Sequence, residues 1–477
     1  MKAFYKPVPG VIGDCIPYYY DGRYHVFYLR NYRDEDSYGI GGPWHHISTI
    51  DGVTFTDHGE ALSKGGDDDQ DVTVATGSVF TDDNGLHHIF YTGINPYFRN
   101  EEQREQAILH ATSTDLDIWT KHPDYLWSAD ESRYERHDWR DPFVYRHPET
   151  GTPTMLVTAR TRTGEPTTRG CTAVFQSEDL STWTHVYDYA PGRYHGHECP
   201  DFFRMGEWYY LLFSEYTTHT VTRYVMSRNP DGPWTAPADN QFDNRAFYAA
   251  KSAGPEDGSG PRYLFGWNPT KVDDRDDGDW QWGGALTVHE IVQREDGTLA
   301  VRAPQPLLDR FGGSAPQQVS LAPGWSREGD ALRVSSPYGR SVSVIGELPY
   351  TALIEGELTF ERESGTAGVL LDVDAEGRGG YFLRFDPALG AAQFGKVGGY
   401  RDWYVDHFPE LDRPVTVTAG EPLQFTILVD HSAVVVYLDD EIALSARMYH
   451  RPRGHYGMYA DGADAVFNRI AMRPWES

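Results

Sequence analysis

Three acidic stations in this chain have the residue types and surroundings for acid–base chemistry. Asp14 sits in Val11-Ile12-Gly13-Asp14-Cys15-Ile16-Pro17, Asp141 in Trp139-Arg140-Asp141-Pro142, and Glu198 in His197-Glu198-Cys199-Pro200-Asp201. Each is followed by a few apolar or aromatic residues, a polar turn ending in glycine, and then an aromatic-rich stretch. Two carboxyl groups held about 5–5.5 Å apart can attack an anomeric carbon and protonate the leaving oxygen, the double displacement of a retaining glycosidase. In that scheme Asp14 is the nucleophile, kept ionised by hydrogen bonds from nearby donors. Glu198 is the general acid and base, with a pKa raised by burial beside like charges. Asp141 stabilises positive charge on the sugar ring in the transition state, and Arg140 beside it steers the carboxylates. An acid before proline is also what an ordinary strand entry looks like. The weight therefore rests on the acids recurring in phase with a repeat.

That repeat organises the first two-thirds of the chain. Aromatic strands follow Gly22, Gly85, Gly151, Gly206 and Gly260, at intervals of roughly 55 to 65 residues. A second marker follows most of them: Ser48-Thr49-Ile50-Asp51-Gly52, Ser113-Thr114-Asp115, Ser177-Glu178-Asp179 and Ser227-Arg228-Asn229. Five such units predict a five-bladed β-propeller, because one small sheet cannot bury both faces alone and radial stacking buries them all. The residues heading the units, Asp14, Gly77-Ser78, Asp141, Glu198 and Phe247-Tyr248, then point into one funnel. A short helix is conceivable over Glu101–Leu109. Gly312-Gly313-Ser314-Ala315-Pro316 reads as a linker, and beyond it apolar residues alternate with period two, as in Tyr381-Phe382-Leu383-Arg384-Phe385 and Val434-Val435-Val436-Tyr437-Leu438. The expected layout is an all-β chain: propeller 1–310, linker 311–318 and β-sandwich 319–477. The sandwich offers no acidic cluster; bracing, homo-oligomer contact or weak glycan binding are its expected roles.

Composition narrows the partners. With 48 Gly, 30 Pro and 14 % aromatic residues, the chain suits turn-rich β-structure. A net charge of −29 repels nucleic acid and anionic membrane surfaces and tolerates a neutral sugar. Three cysteines make no disulfide framework. The N-terminus shows no apolar signal core and no stretch is long enough to span a bilayer, so a cytoplasmic protein acting on a small oligosaccharide is expected. No cofactor is called for. His45, His46, His195 and His197 invite a metal, but their spacing matches no known site, and none is expected. Asp67–Asp69 and Asp273–Asp279 resemble calcium loops only loosely and read as solvated loops.

Taken together, the motifs resemble glycoside hydrolase family 32, the invertase, inulinase and levanase group, over nearly the whole length. Arg140-Asp141-Pro142 is similar to that family's Arg-Asp-Pro motif, which holds the transition-state stabiliser. Glu198-Cys199 is similar to its Glu-Cys motif, which holds the acid/base. Thr76-Gly77-Ser78, in the stretch that begins at Asp71, is similar to its Ser-Gly-Ser region, with Thr76 in place of the first serine. Trp44-His45-His46-Ile47-Ser48, Phe247-Tyr248-Ala249-Ala250, Phe265-Gly266-Trp267 and Trp282-Gly283-Gly284 have counterparts as well. The resemblance departs at the nucleophile, where the family's Trp-Met-Asn-Asp-Pro-Asn is here Ile12-Gly13-Asp14-Cys15-Ile16. It implies a five-bladed propeller with a sandwich and a β-fructofuranosidase needing no cofactor. It also implies a pocket remodelled at Gly13, compatible with a related furanoside, an unusual fructo-oligosaccharide or a fructose dianhydride. The expected substrate-binding set is Arg140, Trp44, Ser78, Cys199, Tyr248 and Trp267. Within it, Trp44 either stacks on a sugar or packs in a blade, Ser78 either bonds a sugar hydroxyl or is satisfied by backbone, and Cys199 also suits a small buried position. Trp267 and Trp282 are either blade core or subsite. Fructosyl transfer, action on arabinofuranosides as in the related five-bladed family 43, and non-catalytic fructoside binding remain open alternatives.

Overall fold

The computed structural model describes residues 1–476 except 101, 316, 318, 398–408 and 453. It is almost entirely β. The repeat resolves into five radial sheets. Blade 1 comprises Val11–Tyr20, Arg23–Asn31, Trp44–Thr49 and Thr56–Leu62, and blade 2 Thr73–Thr81, His87–Ile94, Gln106–Ser113 and Thr120–Trp127. Blade 3 comprises Tyr134–Arg146, Pro153–Thr161, Gly170–Gln176 and Thr184–Tyr189. Blade 4 has Glu198–Met205, Trp208–Glu215 and Val221–Ser227, with an isolated bridge between Met226 and Thr235 where a fourth strand would lie. Blade 5 has Tyr248–Ala253, Arg262–Lys271, Trp280–Gln293 and Leu299–Arg302. The ring closes where Ile12 of blade 1 pairs with Gly284 of blade 5.

The turn glycines do the work expected of them in four blades, with φ of 74° at Gly22, 81° at Gly85, 73° at Gly151 and 58° at Gly206. In blade 5 the left-handed position falls on Gly258 instead of Gly260. The Ser/Thr-Asp markers form one recurring turn. The hydroxyls of Thr49, Ser113 and Ser177 donate to Asp51, Asp115 and Asp179, whose carboxylates accept the backbone N–H groups two and three residues on. The helix expected from Glu101 to Leu109 does not form over the described residues 102–109. Strand Gln106–Ser113 begins there, because Ala107 and Ile108 are buried between two neighbouring strands, and pairing with them outweighs local helix propensity.

All five inner strands break register at the head: between Ile12 and Cys15, Ala75 and Gly77, opposite Leu156–Thr158 in blade 3, between Glu198 and Asp201, and between Tyr248 and Lys251. Three residues in these bulges adopt positive φ without being glycine: Asp141 (55°), Cys199 (50°) and Ala249 (51°). A bulge re-aims its side chains out of the pleat, and here it turns them toward the axis.

The C-terminal strands pair into a sandwich whose longest member, His455–Pro474, pairs with Ala331–Glu347, Thr351–Phe360 and Thr366–Val373. Its core is aliphatic and aromatic, including Trp325, Phe360, Phe385, Phe425 and Phe467. A second apolar cluster runs across the seam, joining Phe203, Tyr210, Phe247 and Leu264 of the propeller to Leu353, Leu428, Val435 and Tyr437 of the sandwich. Of the stretch 311–318, residues 316 and 318 lie outside the described residues, and Phe311 bridges to Trp475. Among the described residues no helix is long and apolar enough to cross a membrane.

Candidate active site

A pit of about 520 Å³ opens at the head end of the blades, and Asp14, Asp141 and Glu198 all line it. They arrive from blades 1, 3 and 4, so the chain's three acidic stations converge although they lie far apart in sequence. Asp14 is at the head of the first inner strand. Its Oδ2 accepts from Thr76 Oγ1 at 2.6 Å and its Oδ1 from Trp267 Nε1 at 3.0 Å, while Cys199 Sγ lies 3.7 Å from Oδ2. The expected donors are present, but they do not dominate. Enclosure raises the carboxyl to about 6, Thr76 and Trp267 pull against this, and the charges of Asp141 and Glu198 push the same way as enclosure.

Asp141 is buried, with Cys199 N–H donating to its Oδ2 at 2.9 Å and Thr158 Oγ1 at 3.3 Å. Its own N–H donates to Thr92 Oγ1 at 2.8 Å, which fixes the bulge. Burial raises its pKa; Arg140 opposes and Glu198 adds to the rise. Glu198 departs from expectation. About 24 % of its side chain is exposed, so it is less enclosed than the buried carboxyl group expected there. Arg140 Nη2 donates to Glu198 Oε1 at 3.1 Å and Tyr248 Oη to Oε2 at 2.6 Å. Arg140 also donates to Asp138 Oδ1 at 2.9 Å, so one buried guanidinium ties the acids of blades 3 and 4 together.

The other expected site residues divide. Arg140 lines the pit. Tyr248 and Trp267 reach the acids as hydrogen-bond donors from blade 5, and Cys199 contacts Asp14 and Asp141 from below. Trp44 is fully buried between blades 1 and 2, with its Nε1 donating to Ala75 O at 3.1 Å and its ring against Tyr91. It has no face for a sugar, and blade packing is its role. Ser78 is also buried and accepts from Val144 N–H at 2.9 Å. It stands two residues, about 7 Å, further down the strand than Thr76 and faces a separate cavity below the acids. Thr76, which matched the family's serine, is the residue that touches Asp14. Asp71 is held inside blade 2 by Tyr91 and Lys121.

Several residues in and beneath the pit carried no motif. Lys251, buried beneath the acids, donates to Gly77 O at 2.7 Å; burial lowers its pKa while the surrounding acids oppose. Gln106 and Asp138 form part of the wall. The rim is the insertion between the second and third strands of blade 1, where Arg30, Tyr32, Arg33, Asp34 and Glu35 face the pit. Its shape comes from a single turn of helix, Glu35–Tyr38, capped by Asp34, and from Tyr32 stacked on Tyr38 at 3.9 Å. No motif marked that insertion, and its length is nearly matched by the 95–105 connection of blade 2. Of the four histidines weighed as ligands, His46 lies on the outer strands with His58 and Asp117, their ligand atoms within 4.8 Å of one another and away from the pit. Asp276, read as part of a solvated loop, is instead held by Tyr381 Oη, Tyr449 N–H and Lys396 Nζ at the seam.

Comparison with known proteins bears on the whole architecture. Residues 14–303 match the family described as glycosyl hydrolases family 32, N-terminal domain. The chain is 24 % identical to sucrose-6-phosphate hydrolase of Escherichia coli, over 95 % of this chain and 90 % of that one. It is 22 % identical to the levanbiose-producing levanase of Bacillus subtilis (strain 168), over 97 % and 88 %. The exo-inulinase of Aspergillus awamori superposes with a TM-score of 0.74, covering 100 % of this chain and 98 % of that one at 17 % identity.

Proposed function

The chain belongs to glycosyl hydrolase family 32 and is a glycosidase, and from that premise we propose that it is a retaining, exo-acting β-fructofuranosidase for short fructo-oligosaccharides or related fructosides. The observation that carries this reading is the convergence of three carboxylates from three blades in one pit, with Arg140 between Asp141 and Glu198. The names of the relatives, sucrose-6-phosphate hydrolase and levanase, favour a fructoside. A pit walled on one side by the blade 1 insertion admits a chain end more readily than a chain interior, which favours exo action.

In this mechanism Asp14, ionised above about pH 6, attacks the anomeric carbon of a fructosyl unit seated on the pit floor. Glu198 gives its proton to the leaving oxygen, and the leaving group departs as an alcohol. A fructosyl ester on Asp14 remains. Glu198, now a base, takes a proton from water, which displaces Asp14 with a second inversion. Asp141 faces the ring where positive charge develops, and Cys199 N–H and Thr158 Oγ1 hold it in place. Tyr248 and Arg140 orient Glu198 through both of its oxygens.

The test is product analysis with sucrose, inulobiose, levanbiose and an aryl arabinofuranoside, reading the first-formed anomer by NMR. Release of β-fructose before mutarotation is expected. The α anomer appearing first would exclude double displacement, and cleavage of the arabinoside alone would exclude a fructoside substrate.

A further inference from the structure

The segment ahead of Asp14 and the tip of the third strand of blade 5 share one volume. A Cβ placed on Gly13 would fall 1.9 Å from Trp282 Cη2 and 2.4 Å from Cζ2, so the indole occupies the space any side chain at position 13 would need. Two more glycines permit this approach. A Cβ on Gly283, at φ 79°, would meet Ile12 O at 2.8 Å, and one on Gly284 would meet Asn268 O at 1.7 Å. The three lie where strand Trp280–Gln293 crosses to pair with Val11–Tyr20 and close the propeller.

The backbone that carries the indole is held by Arg33. Arg33 Nη2 donates to the carbonyls of Trp282 at 2.9 Å and Gly283 at 3.2 Å, and its Nη1 donates to Gln281 Oε1 at 2.8 Å. Trp267, whose Nε1 sits on Asp14, packs 5.9 Å from the Trp282 ring at 58°. The two tryptophans differ in access: Trp267 is 4 % exposed and packed behind Asp14, whereas Trp282 is 41 % exposed and lines the pit.

The geometry points to Trp282 as a stacking platform for the leaving-group sugar, a role that rests on the fructosidase reading above. A ring attacked by Asp14 lies on the floor, and what projects from it toward the mouth passes the exposed indole. A pyranose or furanose presents an apolar C–H face to such a ring, and aromatic contact is strong where water is excluded. Gly13 and Trp282 form one device: the amide side chain that the family carries before its nucleophile is exchanged for an aromatic wall supplied by another blade. Arg33 is a positioning residue for that wall and touches no reacting atom. The ligand class is therefore a fructoside with a second sugar ring, preferred over a fructoside with a small aglycone.

The discriminating experiment compares Trp282→Ala with the wild-type protein on a disaccharide fructoside and on methyl β-fructofuranoside, which has no second ring. About a tenfold fall in kcat/KM on the disaccharide, carried mainly by KM, is expected, with less than about a twofold change on the methyl glycoside. Equal losses on both would place the indole on the fructosyl ring or in the fold and overturn the inference, as would no loss on either. Gly13→Asn is expected to abolish most activity alone and to cost far less in the Trp282→Ala background; additive losses would overturn the shared-volume argument. If the wild-type protein cleaves neither compound, the fructosidase reading fails. Calorimetric binding of the same two compounds to both proteins then decides the role of Trp282, with loss confined to the disaccharide supporting it and equal affinities, or no binding by either protein, overturning it.

Discussion

Carboxylates are buried in two regions of this molecule, and their surroundings differ. At the seam between propeller and sandwich they are saturated with donors. Asp243 accepts from the N–H groups of Ser445 and Asn244 and from Ser445 Oγ, with His289 3.2 Å away. Asp430 accepts from the N–H groups of Lys2, Ala3 and Phe4 and from Thr351 Oγ1. These are staples, and their partners are chiefly neutral backbone and hydroxyl groups that fix distant segments to one point. In the pit the acids have two or three donors each and have each other as neighbours. Asp14 and Asp141 are both held above the ordinary carboxylate range, by enclosure first and with like charge adding to it. A seam acid stabilises the fold, whereas a pit acid stands ionised at a cost to the fold and keeps its reactive face open.

The contrast can be broken most decisively at Asp14 and Glu198. Asp14→Asn and Glu198→Gln are each expected to lower kcat on the order of 10⁴-fold, measured by reducing-sugar release. Because the folded state raises Asp14, that group binds more protons folded than unfolded between its ordinary value and about pH 6, so its stabilising effect is lost as pH rises through 6. Asp14→Asn should therefore raise the melting temperature at pH 7 by about 2–4 °C in calorimetry; a lower melting temperature would class Asp14 with the staples. Asp141→Asn is expected to lower kcat by about 10²–10³-fold with KM little changed, since it acts on charge that develops only in the transition state. Asp243→Ala should show the opposite profile, losing about 2–4 kcal/mol in denaturant titration while activity per folded molecule stays near wild type. The smallest effect belongs to Thr76→Val. Its hydroxyl hydrogen bond favours ionised Asp14, so its loss should move the acid limb of the kcat/KM profile upward from about pH 6 by about one unit or less. A limb that moved downward would show that Thr76 does not act on Asp14.

The chain itself determined a good deal. Its recurring glycine turns and aromatic strands were enough for five blades, and the phase of Asp14, Asp141 and Glu198 in that repeat was enough to bring them to one end of the axis. Period-two alternation sufficed for the sandwich. These are local signals, since strand faces and turn positions depend on neighbours in sequence. What only the tertiary structure decided is which way a side chain at a blade head points and what faces it from another blade. The register breaks put Thr76 on Asp14 and leave Ser78 one pleat lower, although both fit the same motif. Trp44 matched a family segment yet packs between blades, because its surroundings are set by Ala75 and Tyr91 from the next unit. Glu198 keeps about a quarter of its side chain exposed although burial was expected, since enclosure depends on how five strands meet, and Asp276 became a seam anchor through residues more than a hundred positions away. Gly13 is the sharpest case: as a letter it is a missing side chain, and only the ring closure of the propeller shows that Trp282 fills the place.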